Sequence, residues 1–296
     1  MKILVLGSQG MLGRDLVSRL PGFTLTTVPP ITVIGANHAQ VDITQGLDTS
    51  RFIAQERPDV IVNCAAFTNV DACETYVAEA FAVNTTGAKN IAIAGKEAGA
   101  KIIHISTDYV FDGTKNGSYV ETDHPNPLSI YGKSKYKGEL AIQETIGTYA
   151  IIRTSWLYGQ YKKNFVTTML DMGNRNHSVS VVTDQFGTST YTADLSYAIW
   201  IIISKNLQGI YHVANTGTCS RYEWAKEIFE LTGDQVSVCP VKTGDYKRAA
   251  TVPQNSSLNC SKYTMASGYT MRSWQEALKE YLGTLGTCSF RYPNAL

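Results

Sequence analysis

Neither sign of charge is in excess in this sequence. The 26 lysines and arginines are balanced by 25 aspartates and glutamates, and residues of one sign never form a long run. Such a chain lacks the electrostatic footprint that binding to nucleic acid or to an anionic membrane surface requires. We therefore exclude nucleic acid and membrane as expected partners.

Long apolar segments and paired cysteines are also missing. The apolar run at residues 1–7 is too short for a signal peptide or a membrane-spanning helix. The six cysteines are scattered, without a Cys-x-x-Cys pair or nearby histidines, so their spacing does not indicate a zinc site. Unpaired thiols are typical of a reducing compartment, and we therefore expect a cytoplasmic protein.

What the sequence does contain is enough apolar material for a large core. Its 296 residues are 44% hydrophobic and 17% charged, which excludes a disordered chain or a coiled coil. The length corresponds to about two domains.

The first half of the chain alternates between short β-rich runs and helical patterns. We predict strands at residues 2–6, 23–28, 59–63, 101–106 and 149–153, and helices at residues 10–20, 48–56, 78–99 and 131–146. A stretch at residues 29–37, with Pro-Pro and Gly-Ala-Asn, is interpreted as an added loop. Strands separated by crossover helices pair in parallel, because only a long connection returns the chain to the same end of a sheet. The predicted fold class is α/β, with a Rossmann-like doubly wound parallel sheet.

After residue 155 the periodicity weakens, and residues 234–259 show no clear pattern. We predict helices at residues 164–172, 191–203, 221–231 and 274–282, and strands at residues 179–183 and 210–213. The expected division is a dinucleotide-binding domain of residues 1–155 plus about 180–208, and a smaller, non-contiguous substrate-binding domain of about 156–179 plus 209–296. The smaller domain would close over the carboxyl ends of the parallel strands, where such sheets bind ligands.

A glycine-rich turn follows the first predicted strand, in the string Gly7-Ser-Gln-Gly10-Met-Leu-Gly13. Glycines here let the backbone approach a pyrophosphate, and the next helix offers free N–H groups and a positive dipole end. The spacing differs from the general G-x-G-x-x-G fingerprint, and a purely structural turn is the alternative. Residues 26–31, where an acid would bind the ribose 2′-hydroxyl, contain neither acid nor arginine, which permits NADPH as well as NADH.

Three Tyr-x-x-x-Lys pairs occur, Tyr131/Lys135, Tyr158/Lys162 and Tyr222/Lys226. Only the first opens a predicted helix after a strand that ends in Ser106-Thr107. On one helical face the ammonium favours the phenolate and lowers the tyrosine pKa towards neutrality. Such a tyrosine can protonate a carbonyl oxygen as a hydride reaches its carbon, with a hydroxyl from Ser106 or Thr107 on the same oxygen. For the other two pairs we favour a surface role.

Three longer strings form a more specific pattern: Ser106-Thr-Asp-Tyr-Val-Phe-Asp-Gly113, Tyr131-Gly-Lys-Ser-Lys135 and Arg153-Thr-Ser-Trp-Leu-Tyr-Gly159. With them the chain resembles the dTDP-4-dehydrorhamnose reductase family of extended short-chain dehydrogenase/reductases. The strings at residues 63–71, 184–190 and 209–212 are similar to other signatures of that family. The resemblance runs in order from residue 2 to about residue 282.

The resemblance implies an NAD(P)H-dependent reductase that converts dTDP-4-dehydro-6-deoxy-L-mannose to dTDP-L-rhamnose. It implies that Tyr131 donates the proton, that Lys135 holds the ribose and tunes Tyr131, and that Thr107 orients the keto oxygen. The implied cofactor-binding residues are Gly7, Gly10, Met11, Leu12, Asp42, Ile43, Ala65, Ala66, Thr68, Tyr131, Lys135 and Ser155. The implied substrate-binding residues are Thr68, Val70, Thr107, Tyr131 and Trp156, and an aromatic face at Trp156 suits the apolar side of a deoxysugar.

The chain also departs from the family pattern. Ser189 replaces a usual proline, and Val252 stands where the family carries an arginine that helps to bind the nucleotide diphosphate. The nearby cations that offer compensation are Lys162, Lys163, Lys247 and Arg248. Some family members bind magnesium at a dimer interface through a position that corresponds to Asp15. We find no complete carboxylate set, interpret Asp15 as an exposed helix acid and assign no metal site, which leaves both magnesium and a homodimer open.

Two other functions remain open at this stage. One is reduction of a different 4-keto nucleotide sugar, which the change at Val252 allows. The other is a non-catalytic, cofactor-binding regulatory subunit that resembles the β subunit of methionine adenosyltransferase. The retained Thr107, Tyr131 and Lys135 favour the enzyme. His104 and His212 are interpreted as structural histidines.

Overall fold

The computed structural model describes residues 1–23 and 30–287. In these ranges the strands are β1 (Lys2–Leu6), β2 (Thr32–Ala36), β3 (Val60–Asn63), β4 (Lys101–Thr107), β5 (Tyr149–Thr154), β6 (Leu157–Tyr158), β7 (Ser178–Val182), β8 (Phe186–Gly187), β9 (Thr190–Tyr191), β10 (Gly209–His212), β11 (Cys219–Ser220) and β12 (Ser237–Val241). The α-helices are α1 (Met11–Arg19), α2 (Gly46–Glu56), α3 (Val70–Thr75), α4 (Val77–Phe81), α5 (Ala88–Ala98), α6 (Ile130–Thr145), α7 (Phe165–Asn176), α8 (Thr192–Ser204), α9 (Arg221–Thr232), α10 (Ser261–Ser267) and α11 (Trp274–Thr287). A π-helical segment, Ala82–Gly87, joins α4 to α5.

A six-stranded parallel sheet forms the centre of the fold, in the order β10-β5-β4-β3-β1-β2. Alternate residues of each strand face opposite sides of the sheet. Ile3 and Val5 pack with α1 and α8 on one face, whereas Leu4 and Leu6 pack with α2, α5 and α6 on the other. The predicted doubly wound α/β fold is confirmed.

The strand that pairs with β1 lies later in the chain than the predicted second strand. Residues 24–28 of the predicted strand at 23–28 lie outside the described residues, and Phe23 is not in a strand. The neighbour of β1 is β2, within the stretch interpreted as an added loop, and it pairs from Lys2↔Thr32 to Leu6↔Ala36. Gly35 interrupts the apolar pattern that would otherwise mark β2 as a strand. A Cβ on Gly35 would lie 2.8 Å from Cβ of Ser8, so this strand needs a glycine to pass the glycine-rich turn.

A second core lies beside the sheet. It contains Tyr158, Val181 and Trp224 and joins β6, α7, β7, α9 and α11. The predicted strand at residues 179–183 is confirmed as β7, whose parallel partner β12 falls in the region without a pattern. This partner is largely exposed and contains Pro240, so no apolar alternation marks it. The predicted division into two domains stays a prediction, although β10, at residues 209–212, is an edge strand of the central sheet.

Most predicted helices are present with ends shifted by a few residues. The long helix predicted at residues 78–99 is divided, because the π-helical segment interrupts it between α4 and α5. None of the helices in the described part of the chain has the length and hydropathy that crossing a bilayer demands.

Candidate active site

The turn after β1 is shaped by its glycines. Gly7 has φ +77°, and a Cβ there would lie 2.6 Å from the backbone nitrogen of Ala65. A Cβ on Gly13 would lie 2.3 Å from the carbonyl oxygen of Gly7, so only glycine lets α1 start so close to the turn. Gly10 precedes α1 without a capping side chain. The first N–H groups of α1 are therefore left available for an anion.

A lateral cavity of about 380 Å³ opens on one side of this turn, next to the end of β2. It is lined by Gly7, Asp42, Ile43 and Ala65, four of the residues that the family resemblance implies for cofactor binding. The Asp42 carboxylate accepts hydrogen bonds from the Thr44 backbone (2.9 Å) and hydroxyl (2.8 Å). These bonds, the Thr44 hydroxyl first, lower the pKa of Asp42. The carboxylate thus holds its own loop in shape.

The end of β2 fixes the place where a ribose-binding acid would be found. The sequence placed it at residues 26–31, but β2 ends at Ala36 and is followed by Asn37 and His38, both of which line the lateral cavity. The predicted position was therefore wrong, because the strand starts later. Neither Asn37 nor His38 is an acid, and the next carboxylate along the chain is that of Asp42, which lies 3.9 Å from His38 Nδ1 and lines the same cavity.

A central cavity of about 460 Å³ adjoins the lateral one and shares Gly10, Cys64, Ala66 and Lys162 with it. The remaining predicted site residues line it: Met11, Leu12, Thr68, Val70, Thr107, Tyr131, Lys135, Ser155 and Trp156. Every site residue predicted from the sequence thus faces one of two adjoining cavities at the carboxyl ends of the parallel strands.

The start of α6 sets the position of Tyr131. The Ser129 hydroxyl accepts a hydrogen bond from the Gly132 backbone (3.1 Å), and Glu74 Oε1 accepts one from the Ile130 backbone (2.8 Å). A Cβ on Gly132 would lie 2.2 Å from the carbonyl oxygen of Tyr109, so the helix packs directly on the chain that follows β4. This contact brings Tyr131 close to Thr107, and both side chains line the central cavity.

The electrostatics of Tyr131 differ from the sequence-based expectation. Burial raises the pKa of the Tyr131 phenol, and the hydrogen bond from Thr107 offsets only part of this effect. Lys135 Nζ points instead at the carbonyl oxygen of Ile105 (2.6 Å), and burial lowers the pKa of Lys135 to about 8. The prediction that Lys135 stabilises a Tyr131 phenolate is therefore wrong. The Lys135 ammonium is bonded to the Ile105 carbonyl oxygen on β4, and the loss of solvent around the phenol has the larger effect on its pKa. The neutral phenol is the form that can donate a proton.

Asp108, which follows Thr107, is buried in the wall of the central cavity. Burial raises the pKa of its carboxyl group to about 6, while bonds from Ser256 and Thr107 and the charge of Arg221 offset part of the shift. A carboxyl whose pKa is higher in the folded than in the unfolded protein is neutral in both states at low pH. It costs folding free energy once the pH rises through about 4 to 6.

Asp108→Asn is therefore expected to stabilise the protein at high pH. The change removes the ionisation but keeps the size of the side chain, so the free energy of unfolding should rise by about 2–3 kcal/mol at pH 8 and by much less at pH 4. Urea denaturation at the two pH values measures this difference. Asp112→Asn is the matched control with the opposite sign, because hydrogen bonds from Thr114 lower the pKa of Asp112. An equal effect of Asp108→Asn at both pH values would contradict the assignment.

Trp156 has an unusual backbone conformation and a crowded ring. Its φ is +44°, in a region that non-glycine residues rarely adopt. A Cβ on Gly187 would lie 2.6 Å from Cε2 of the indole, and the Arg221 guanidinium lies 3.6 Å from the ring centroid. Arg221 thus covers one face of the indole. Sequence reasoning missed this residue, because 65 positions separate it from Trp156 and no motif links them.

The positions that depart from the family pattern are buried. Ser189 is fully buried, and Val252 is 8% exposed. The expectation that Asp15 is an exposed acid is wrong: it is 1% exposed, accepts a hydrogen bond from Arg19 Nε (2.8 Å) and bonds the Thr192 hydroxyl. These bonds occupy its carboxylate within the fold. Residues 1–23 and 30–287 contain no group of three or more side chains arranged to hold a metal ion.

The two histidines lie inside the fold. His104 Nδ1 contacts Asn63 Nδ2 (3.1 Å), and His104 Nε2 lies 3.4 Å from Lys135 Nζ. His212 Nδ1 lies 3.0 Å from the carbonyl oxygen of Tyr119. Burial lowers the pKa of both rings, that of His212 to about 3, so both are neutral at pH 7.

Comparison with known proteins places this geometry in a family. A family model described as "RmlD substrate binding domain" matches residues 1–286. The chain belongs to this family. A related RmlD-family protein is the spore coat polysaccharide biosynthesis protein SpsK of Bacillus subtilis (strain 168), 39% identical over 283 residues that cover 95% of this chain and 96% of that protein.

Two solved structures of the RmlD family are similar over almost the whole chain. The dTDP-4-dehydrorhamnose reductase of Clostridium acetobutylicum has a TM-score of 0.92 and 40% identity, and the match covers 97% of this chain and 100% of that one. The dTDP-4-dehydrorhamnose reductase of Bacillus anthracis, in complex with NADP, has a TM-score of 0.90 and 38% identity, with 96% and 99% covered. The chain is therefore similar to oxidoreductases along its full described length.

Proposed function

We propose that this protein uses NADPH or NADH to reduce the 4-keto group of a nucleotide-linked 6-deoxyhexose. The favoured reaction converts dTDP-4-dehydro-6-deoxy-L-mannose to dTDP-L-rhamnose. The observation that carries the proposal is that Thr107, Tyr131 and Lys135 line the same cavity as the glycine-rich turn and the start of α1. The named relatives of the RmlD family support the same reaction.

The shape of the turn fits a dinucleotide. Any side chain at Gly7 or Gly13 would collide with backbone atoms, and the first N–H groups of α1 lie in the wall of the central cavity. Met11 and Leu12 would lie against the pyrophosphate, Asp42 and Ile43 beside the adenine, and Ala65, Ala66, Thr68 and Ser155 along the rest of the cofactor. Lys135 would hold the ribose hydroxyls. When bound, the reduced nicotinamide supplies the hydride that C4 of the sugar receives.

Tyr131 and Thr107 perform the proton transfer in this proposal. The Thr107 hydroxyl, which lines the central cavity together with Tyr131, orients the keto oxygen at C4. Because burial keeps the Tyr131 phenol protonated, its proton is available for that oxygen as negative charge develops there. Val70 and Trp156 would bound the sugar ring, together with Thr68. The proposed product is a hydroxyl at C4, and Tyr131 regains its proton from solvent.

A spectrophotometric assay tests the function. Oxidation of NADPH and of NADH should be followed with a panel of 4-keto nucleotide sugars that differ in sugar and nucleotide. We expect the fastest oxidation with dTDP-4-dehydro-6-deoxy-L-mannose. A faster reaction with another member of the panel would assign a different sugar. Tight cofactor binding without oxidation of any member would favour a regulatory subunit. The domain division and the cytoplasmic location stay predictions. The homodimer that the sequence leaves open is tested by light scattering.

A further inference from the structure

Arg221 stands at the junction of two cavities. It is the first residue of α9, which Ser220 caps, and it lines the central cavity together with Tyr131 and Lys135. It also lines a distal cavity of about 570 Å³, which shares Tyr109, Trp156, Leu157 and Arg221 with the central one. A ligand that extends from the reacting groups into the distal cavity must therefore pass this guanidinium.

Arg221 forms no ion pair in the described part of the chain, although the charge of the buried Asp108 carboxylate acts on it from a longer distance. Arg153, Arg248 and Arg272 each form an ion pair with a carboxylate, whereas no carboxylate lies within 4.0 Å of Arg221. Its surroundings are aromatic: its Cζ lies 3.6 Å from the Trp156 ring centroid, 5.2 Å from that of Phe165 and 5.5 Å from that of Trp224. A partly buried cation that no close carboxylate neutralises is costly unless a ligand supplies further negative charge.

The indole also limits where the guanidinium can lie. Because Cζ is 3.6 Å from the ring centroid, the guanidinium lies against the indole, and its N–H donors that do not face the ring can reach the oxygens of an anion. Of the four cations that the sequence offers for compensation, Lys162 lines the central cavity and Lys247 the distal one, whereas the other two are already paired with carboxylates. Arg248 Nε lies 3.2 Å from Asp71 Oδ1, and Lys163 Nζ lies 3.5 Å from Asp171 Oδ2.

The proposed substrate has an anion at this place. In a nucleotide sugar, the diphosphate is attached at C1, across the ring from the C4 keto group that faces Tyr131. We propose that Arg221 binds this diphosphate and thereby supplies the cation that the chain lacks at Val252. This inference rests on the proposed function for the identity of the anion. The nucleoside would extend into the distal cavity, past Tyr246 and Lys247.

Binding of nucleotides to the purified full-length protein tests the inference without turnover. Calorimetry should compare dTDP, UDP, thymidine and NADPH with the wild type, Arg221→Met and Arg221→Lys. We expect Arg221→Met to weaken the affinities for dTDP and UDP by the same factor, about 10- to 100-fold, because the guanidinium that is removed binds the phosphate oxygens that both nucleotides share. Arg221→Lys should fall in between. Thymidine and NADPH affinities should change less than 2-fold, and the NADPH result shows that the variants are folded.

Two control variants sharpen the result. Arg51→Met removes an exposed arginine on α2 and should leave every affinity unchanged. Arg248→Met removes the arginine already paired with Asp71 and should weaken dTDP less than Arg221→Met does. A larger loss of dTDP affinity in Arg248→Met than in Arg221→Met would overturn the inference. An equal loss of thymidine and dTDP affinity in Arg221→Met would also overturn it, because it would indicate that the cavity has collapsed.

The inference and the proposed function can fail separately. If the wild type binds dTDP, Arg221→Met loses it, and no 4-keto sugar is reduced, the role of Arg221 stands and the reductase proposal fails. If the wild type reduces the sugar and Arg221→Met binds dTDP as tightly as the wild type, the reductase stands and the role of Arg221 is refuted. A wild type that binds NADPH but neither dTDP nor UDP would refute both.

Discussion

Tyr131→Phe is expected to abolish reduction of the sugar while leaving the affinity for NADPH nearly intact. The change removes one phenolic oxygen and keeps the ring that packs against Tyr109, with centroids 5.8 Å apart. Loss of a positioned proton donor costs about 10²- to 10⁴-fold in turnover. The glycine-rich turn and Lys135 are untouched, so cofactor binding should persist. Steady-state oxidation of NADPH and a fluorescence titration with NADPH measure the two quantities.

Tyr222→Phe is the matched control for this prediction. It makes the same chemical change in another Tyr-x-x-x-Lys pair, on α9 and outside the central cavity. It should leave turnover within about 2-fold of the wild type, because no proton transfer depends on it. Unchanged turnover in Tyr131→Phe would refute the assignment of Tyr131 as the acid.

Arg153→Met is expected to be the most destabilising single change that we consider. Arg153 and Glu139 are 2% and 0% exposed, and Nη2 of Arg153 lies 2.7 Å from Oε2 of Glu139. The Ser106 hydroxyl donates to the same carboxylate, so the pair joins β5 and β4 to α6. Removing one partner leaves a buried charge uncompensated, which costs about 3–5 kcal/mol of unfolding free energy. Urea denaturation measures the loss.

Two further variants isolate the cause of that loss. Lys226→Met breaks an exposed pair with Glu230 on α9 and should cost less than about 0.5 kcal/mol. Combining Arg153→Met with Glu139→Leu removes both charges and should recover part of the stability. A loss below about 1 kcal/mol in Arg153→Met would show that the pair contributes little.

The parts of the fold that were predicted correctly are those whose signal is local. The apolar runs at β1, β3, β4 and β5 are buried on both faces, and continuous burial leaves a continuous apolar pattern. The turn at Gly7, the strand end at Thr107 and the start of α6 at Tyr131 all belong to short strings of sequence. Parallel pairing then brings these strings to the same edge of the sheet.

The elements that were misplaced depend on contacts with distant residues. The strand β2 exists because β1 supplies its hydrogen bonds, and its Gly35 is explained only by Ser8 on the neighbouring turn. Likewise, β12 pairs with β7 and is largely exposed. Its residues therefore show little of the apolar alternation that marks a half-buried strand. Propensity and periodicity do not report such partners.

The sequence by itself determined the doubly wound class. It also identified residues that line the two adjoining cavities, because the glycine-rich turn and the ends of the strands are each encoded within a few residues. Only the tertiary structure decided the protonation of Tyr131, the burial of Asp15 and the stacking of Arg221 on Trp156. Desolvation, ion pairing and ring contacts arise between residues far apart in the chain, and their energies exist only once the fold has removed those groups from water.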